Sequence, residues 1–261
     1  MSIYLPIVLS FSGHDPCGGA GVQADIETIR SHHCHSCSVI TALTEQDSHN
    51  VKQIIPQAAE NIVRQAQTVL ADLPVAVIKI GLIGHADTAL AIVQILQQYP
   101  HIPVVLDPIL AAGGGKALAD EHLTDIIAQQ LTPLTTVLTP NSLEARRLSG
   151  RQSLAECGAA LLTQGAKHVL ITGAHEDSAQ VQNHLYNADG TTQTYHWDRL
   201  PGHYHGSGCT LASAVAALLA LGLDAETAIH EAQDFTWQAL EVAYRTGSGQ
   251  LNPNRLFWVS A

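Results

Sequence analysis

One alternation constrains the fold more than any other feature. Short runs of branched and apolar residues, each closed by glycine, proline or a polar residue, recur about six times with longer helix-forming segments between them. The apolar runs 3–10, 38–43, 75–80, 103–106, 136–139 and 168–172 are short and nearly continuous in hydrophobicity. That is the pattern of strands buried on both faces, and parallel strands need crossover helices to cover them. Helices are expected over residues 20–31, 57–71, 87–99, from 142 onward, after 208, and over 224–244. The implied fold is α/β and three-layered: a mostly parallel central sheet with helices on both faces. Runs 181–186 and 193–197 flank Asp189-Gly190 and predict a hairpin at the sheet edge. Residues 44–48 read as a polar loop and 251–261 as an irregular tail. No repeat or low-complexity linker interrupts the chain, so residues 1–261 read as one domain.

Composition narrows the function. The formal net charge is −11 with only 12 lysines and arginines, and no basic stripe exists for a nucleic acid. No apolar run is long enough to span a membrane. The apolar residues 1–11 lack a basic flank and read as a strand rather than a leader. Five cysteines, an odd number, suggest free thiols and a cytoplasmic setting. Scarce cations also mean that any phosphate chemistry must draw on backbone N–H groups and a metal ion.

Chemistry-bearing residues fall at the ends of the expected strands, where open parallel sheets bind ligands. Gly206-Ser207-Gly208-Cys209-Thr210 precedes an apolar helical run. Such a turn aims free N–H groups and a helix dipole at one spot, and a thiol in the first turn should ionise more easily than a free one. Gly18-Gly19-Ala20-Gly21 opens another helix without matching a dinucleotide fingerprint. Asp25 could face that loop or complement the helix dipole. Gln46 could read a ring edge or be an ordinary solvated residue. Asn141 and Glu144 could cap a helix or help hold a hydrated divalent ion. The glycine loop before Lys116 fails the P-loop pattern and reads as a mobile segment over the site. His32, His33, Cys34, His35 and Cys37 invite a zinc reading, but strand alternation would turn them to opposite faces.

Several stretches together resemble the hydroxymethylpyrimidine/phosphomethylpyrimidine kinases of thiamine biosynthesis, in the ribokinase-like superfamily. They are Ser12-Gly13 with Asp15-Pro16 and 18–21, Gln23-Ala24-Asp25, residues 38–44 with Gln46, Lys79-Ile80-Gly81, Leu106-Asp107-Pro108, Thr139-Pro140-Asn141 with Glu144-Ala145, and Gly206-x-Gly208-Cys209-Thr210-Leu211. The resemblance runs in one order over nearly the whole chain. It implies ATP-dependent phosphorylation of 4-amino-5-hydroxymethyl-2-methylpyrimidine and of its monophosphate. Gly13, Asp25, Gln46 and Leu82 would line the pyrimidine pocket. Cys209 would be the base, with Gly206 and Gly208 shaping the anion hole. Asp107 and Glu144 would place Mg²⁺, and Asn141, Lys116 and Thr172 fall on the ATP side. A homodimer is also implied. The chain has Gly113 where the family often carries a lysine after Asp-Pro, and Thr172 where the family usually has Lys-Gly-Gly-His. Lys116 is the expected substitute. The competing readings are a pyridoxal kinase of the same fold, a non-catalytic pyrimidine-binding protein, and a metal module built on Cys34 and Cys37.

Overall fold

Strand register decides which side chains reach the site. The computed structural model of the chain describes residues 4–259; the first residues of the expected leading strand and the last two of the tail lie outside them. The strands are β1 (Ile7–His14), β2 (His35–Gln46), β3 (Val51–Pro56), β4 (Val75–Ile80), β5 (Val104–Leu106), β6 (Val137–Leu138), β7 (His168–Ile171), β8 (Gln180–Asn187) and β9 (Thr192–Asp198). They form one sheet in the order β3-β2-β1-β4-β5-β6-β7-β8-β9. Pairs from β2 through β1 to β7 are parallel, whereas β3, β8 and β9 add antiparallel edges. The direction of winding reverses at β1, so a crevice opens outside the carboxyl ends of β1 and β4.

Two apolar layers hold the helices. On one face α2 (Ala59–Asp72) presents Ile62, Ala66 and Leu70 at four-residue spacing. There it joins α3 (Ala86–Gln98), α4 (Glu121–Ile126), α5 (Ser142–Ser149) and α6 (Leu154–Thr163). On the other face lie α1 (Gly21–Ser31), α7 (Ser207–Ala220) and α8 (Ala225–Glu241). Ala212, Ala214, Val215, Ala216 and Ala217 of α7 have no exposed surface, because the helix is wedged between the sheet and its two neighbours.

Alternation along the strands then builds the site. Val8, Val77, Val105, Val137 and Leu170 pack against the α1/α7/α8 layer. Two residues further along, on the same face, stand Ser10, Lys79, Asp107, Thr139 and Thr172. A polar row therefore lies directly beyond an apolar one.

Three expectations change. Residues 44–46 are strand, not loop: β2 runs to Gln46 and pairs with β3, whose six residues the sequence reading missed. Edge strand β3 has a mixed rather than alternating pattern because only Val51 is buried. Helices α4 and α6 also escaped the reading. Cys34 packs under α7 while Cys37 packs against the opposite core, as strand alternation requires.

Candidate active site

The first turn of α7 is made by backbone that only glycine adopts easily. Gly206 caps the helix in the left-handed region at φ 76°, and a Cβ there would lie 2.0 Å from the Gly19 carbonyl oxygen. Gly208 is exposed, and a Cβ on it would stand 3.5 Å from Asp107 Oδ2. Cys209 follows on the inner side, only 6% exposed. Gly21 opens α1 opposite, its backbone N–H directed at Cys209. Two helix N-termini thus face each other across the carboxyl edge of the sheet.

Beneath them is a buried charge cluster. Lys79 of β4 donates to Asp25 Oδ1 at 2.8 Å, both side chains fully buried, and Ser213 Oγ donates to the same oxygen at 2.7 Å. Asp25 Oδ2 and the hydroxyls of Ser10, Ser12 and Thr28 are buried without a hydrogen-bond partner among the described residues. Burial pulls the Lys79 ammonium down, but Asp25, with Cys209 and Asp107 behind it, outweighs this and holds its proton. Asp25 thus neither faces the glycine loop nor sits in the first turn of α1; its carboxylate points into the sheet. In the sequence Lys79 stands only within the Lys79-Ile80-Gly81 motif, and its place beside Asp25 is set by the tertiary fold.

Cys209 departs from expectation. Burial pushes its thiol up to about 12; Lys79 and the Gly21 N–H oppose this, whereas Asp107 and Asp25 reinforce it. The helix terminus does favour the thiolate, but loss of water outweighs it. Asp107 and Glu144 are also held above the ordinary carboxylate range, in each case chiefly by burial. The Asp107 carboxylate accepts no hydrogen bond among the described residues, and its charge further raises Glu144. Glu144 forms a capping box: Asn141 Oδ1 accepts from Leu143 and Glu144 N–H at 3.0 Å, and Glu144 Oε2 accepts from Asn141 N–H at 3.0 Å. Its second oxygen accepts from Leu110 N–H at 3.2 Å. The cap reading is therefore realised.

The remaining residues divide into two groups. Gly13, at the end of β1, lies against Leu82, with a would-be Cβ 2.7 Å from Leu82 Cδ2; Leu82 joins Val51 and Leu118 in a small apolar cluster. Gln46, half-buried at the end of β2, accepts from Cys17 Sγ through its carbonyl at 3.3 Å and leaves its side-chain amide without a partner among the described residues. On the β6–β7 side, Thr172 bridges to Asn141. Lys116 is not brought to the Cys209 cluster: its ammonium donates to the Lys52 carbonyl on edge strand β3, and the glycine loop lies over Asn50.

Two further features went unread. Asp15 shapes the glycine loop: it accepts from Cys17 N–H and Ala20 N–H at 2.8 Å, and pairs with His205 Nε2 at 2.9 Å. Arg255, in the tail read as irregular, is fully buried and touches both loops. An aspartate ahead of a glycine-rich turn and an arginine near the terminus are local signals too weak to reveal such long-range contacts.

The model of the phosphomethylpyrimidine kinase family matches residues 15–254, a span that takes in both facing turns and every residue of the charge cluster. The chain belongs to that family. A hydroxymethylpyrimidine/phosphomethylpyrimidine kinase of Haemophilus influenzae is 35% identical over 93% of both chains. A thiamine biosynthesis bifunctional protein of Geobacter sulfurreducens is 34% identical, with this chain aligned to half of its length. Among solved structures, a phosphomethylpyrimidine kinase of Clostridium difficile matches at TM-score 0.79 and 29% identity, covering 90% of this chain and 99% of that one. Bacillus subtilis pyridoxal kinase in an ADP complex matches at TM-score 0.88 and 26% identity, covering 98% and 100%. The phosphomethylpyrimidine kinase fold is thus of the ribokinase-like α/β type shared with pyridoxal kinases.

Proposed function

We propose that this phosphomethylpyrimidine kinase family member transfers the γ-phosphoryl group of ATP to 4-amino-5-hydroxymethyl-2-methylpyrimidine and then to its monophosphate, serving thiamine biosynthesis. The observation that carries the reading is the pair of facing helix N-termini above Asp107, in a chain whose family match spans both. Phosphoryl transfer needs positioning and charge stabilisation more than covalent chemistry. In this reading the Gly21 and Gly206–Cys209 N–H groups converge on the phosphoryl group in flight. The free amide of Gln46 reads the acceptor ring, with Gly13 and Leu82 as apolar walls. Asn141 and Thr172 flank the nucleotide. Cys209 meets the acceptor hydroxyl; it is a thiol in the unliganded protein, and any neutralisation of Asp107 favours its thiolate.

Asp107 and Glu144 fit a hard divalent cation: both offer carboxylate oxygens, both are buried, and Asp107 has no other partner among the described residues. Mg²⁺ held there supplies charge neutralisation at the phosphates. Residues 1–261 then work as one kinase domain, which we read as a cytoplasmic homodimer; size-exclusion chromatography with light scattering tests the dimer.

A pyridoxal kinase is the second reading, favoured by the higher TM-score of the Bacillus subtilis enzyme. ADP release from ATP and Mg²⁺ with hydroxymethylpyrimidine, its monophosphate and pyridoxal separates the two. Turnover of both pyrimidines supports the proposal, turnover of pyridoxal alone replaces it, and binding without any turnover leaves a pyrimidine-binding protein.

A further inference from the structure

A buried guanidinium is stable only when its N–H groups are paired. Arg255 has no exposed side-chain surface. It sits on a strap, residues 251–255, held by bridges from Leu251 to Tyr204 and from Asn252 to Tyr244, and by the Asn254 N–H on Ala239 O at 2.9 Å. From there its fork reaches three different elements. Nε donates to Thr210 Oγ1 at 2.9 Å, Nη1 to Glu27 Oε2 at 3.0 Å, and Nη2 to the Gly19 carbonyl. Thr210 is the residue after Cys209, and its hydroxyl donates in turn to Gly206 O at 2.8 Å. Gly19 lies in the loop that ends at Gly21. The two turns touch backbone to backbone at this seam: a Cβ on Gly206 would meet Gly19 O at 2.0 Å and Arg255 Nη2 at 2.8 Å.

We infer that Arg255 is a positioning residue for phosphoryl transfer, locking the Gly19–Gly21 loop to the Gly206–Cys209 turn so that the N–H groups of both face one spot. The inference rests on the kinase reading above. Arg255 is fully buried and acts through the backbone it holds. The three bonds leave from three different nitrogens of one rigid plane; a lysine ammonium gathers its donors on a single nitrogen at the end of a flexible stem and cannot reproduce that spread. The His205–Asp15 pair closes the same seam at its outer edge, yet among the described residues it leaves the Thr210 and Gly19 oxygens to Arg255.

The test uses Arg255→Lys and Arg255→Ala in the full chain. Misplacement of about 1 Å costs about 10²-fold in rate, so kcat should fall by roughly that factor while KM for the pyrimidine, bound at Gln46, stays within about threefold. Millimolar guanidinium should restore kcat of Arg255→Ala, and methylammonium should not. Parent-like kcat in Arg255→Lys overturns the inference, as does activity lost only in proportion to the unfolded fraction with no guanidinium rescue. If Arg255→Ala fails to fold, Arg255→Lys decides alone. Amide hydrogen exchange gives a readout without substrate: faster exchange confined to residues 19–21 and 206–210 in Arg255→Lys supports the lock, and unchanged exchange overturns it. A parent inactive with every acceptor sinks the kinase reading, while the exchange result still judges the lock.

Discussion

Replacing Lys79 by methionine should reveal how the charge cluster is held together. The Lys79 ammonium meets Asp25 at 2.8 Å with both side chains fully buried, and Ser213 is the only other donor to that carboxylate among the described residues. Methionine keeps most of the apolar stem, so the main loss is the charge. Removing one partner of a buried pair leaves the other charge uncompensated and costs roughly 3–5 kcal/mol. Urea unfolding should therefore show Lys79→Met destabilised by about 3–5 kcal/mol. Lys79→Met with Asp25→Asn removes both charges and should recover most of the loss. A penalty below about 1 kcal/mol, or a double variant no more stable than Lys79→Met, would refute the reasoning.

Cys209→Ala should bind the pyrimidine like the parent in calorimetry but lose about 10²–10⁴-fold in kcat if the thiol acts as base; parent-like turnover removes that role. Gly206→Ala forces a side chain into a left-handed position 2.0 Å from Gly19 O, so thermal unfolding should show at least about 1–3 kcal/mol of destabilisation together with loss of turnover. Burial pushes Asp107 up to about 6 and Glu144 up to about 8, so the stability of the metal-free protein should decline as pH rises from about 4 to about 8. Over the same window, binding of Mg²⁺ alone, read by thermal shift, should tighten as the protons leave, and Asp107→Asn should weaken that binding throughout.

The fold was legible where burial was symmetric. β4 and β5 are short apolar runs because helices cover both their faces, and their polar ends fall where the sheet turns to solvent. β3 was not legible, since an edge strand with one buried residue carries no period. The glycines of the α7 turn could be read because backbone near φ 76° favours glycine whatever surrounds it. Lys79 and Arg255 could not. Their roles depend on partners 54 and up to 236 residues away, and no local pattern encodes those distances. The Cys209 thiol failed for a related reason: a helix terminus is a local feature, whereas the depth of burial that raises the thiol is set by the whole fold.

Phosphate charge at this site must be met with few free cations. Two cationic side chains are fully buried among the described residues, and both are engaged: Lys79 with Asp25, Arg255 with Glu27, Thr210 and Gly19. Lys116 is drawn to edge strand β3, and positions 113 and 172 carry no charge. Among the described residues, then, both fully buried cations are already engaged, and Lys116 is turned away from the facing helix termini. The positive potential there comes from backbone N–H groups and helix dipoles, each weaker than a full charge, and under the proposed function from Mg²⁺ at Asp107. A family member built this way should depend more steeply on its divalent ion than one that keeps both lysines. Introducing Gly113→Lys or Thr172→Lys should lower the Mg²⁺ concentration needed for half-maximal rate. If both variants leave that concentration unchanged, backbone geometry alone already satisfies the phosphates.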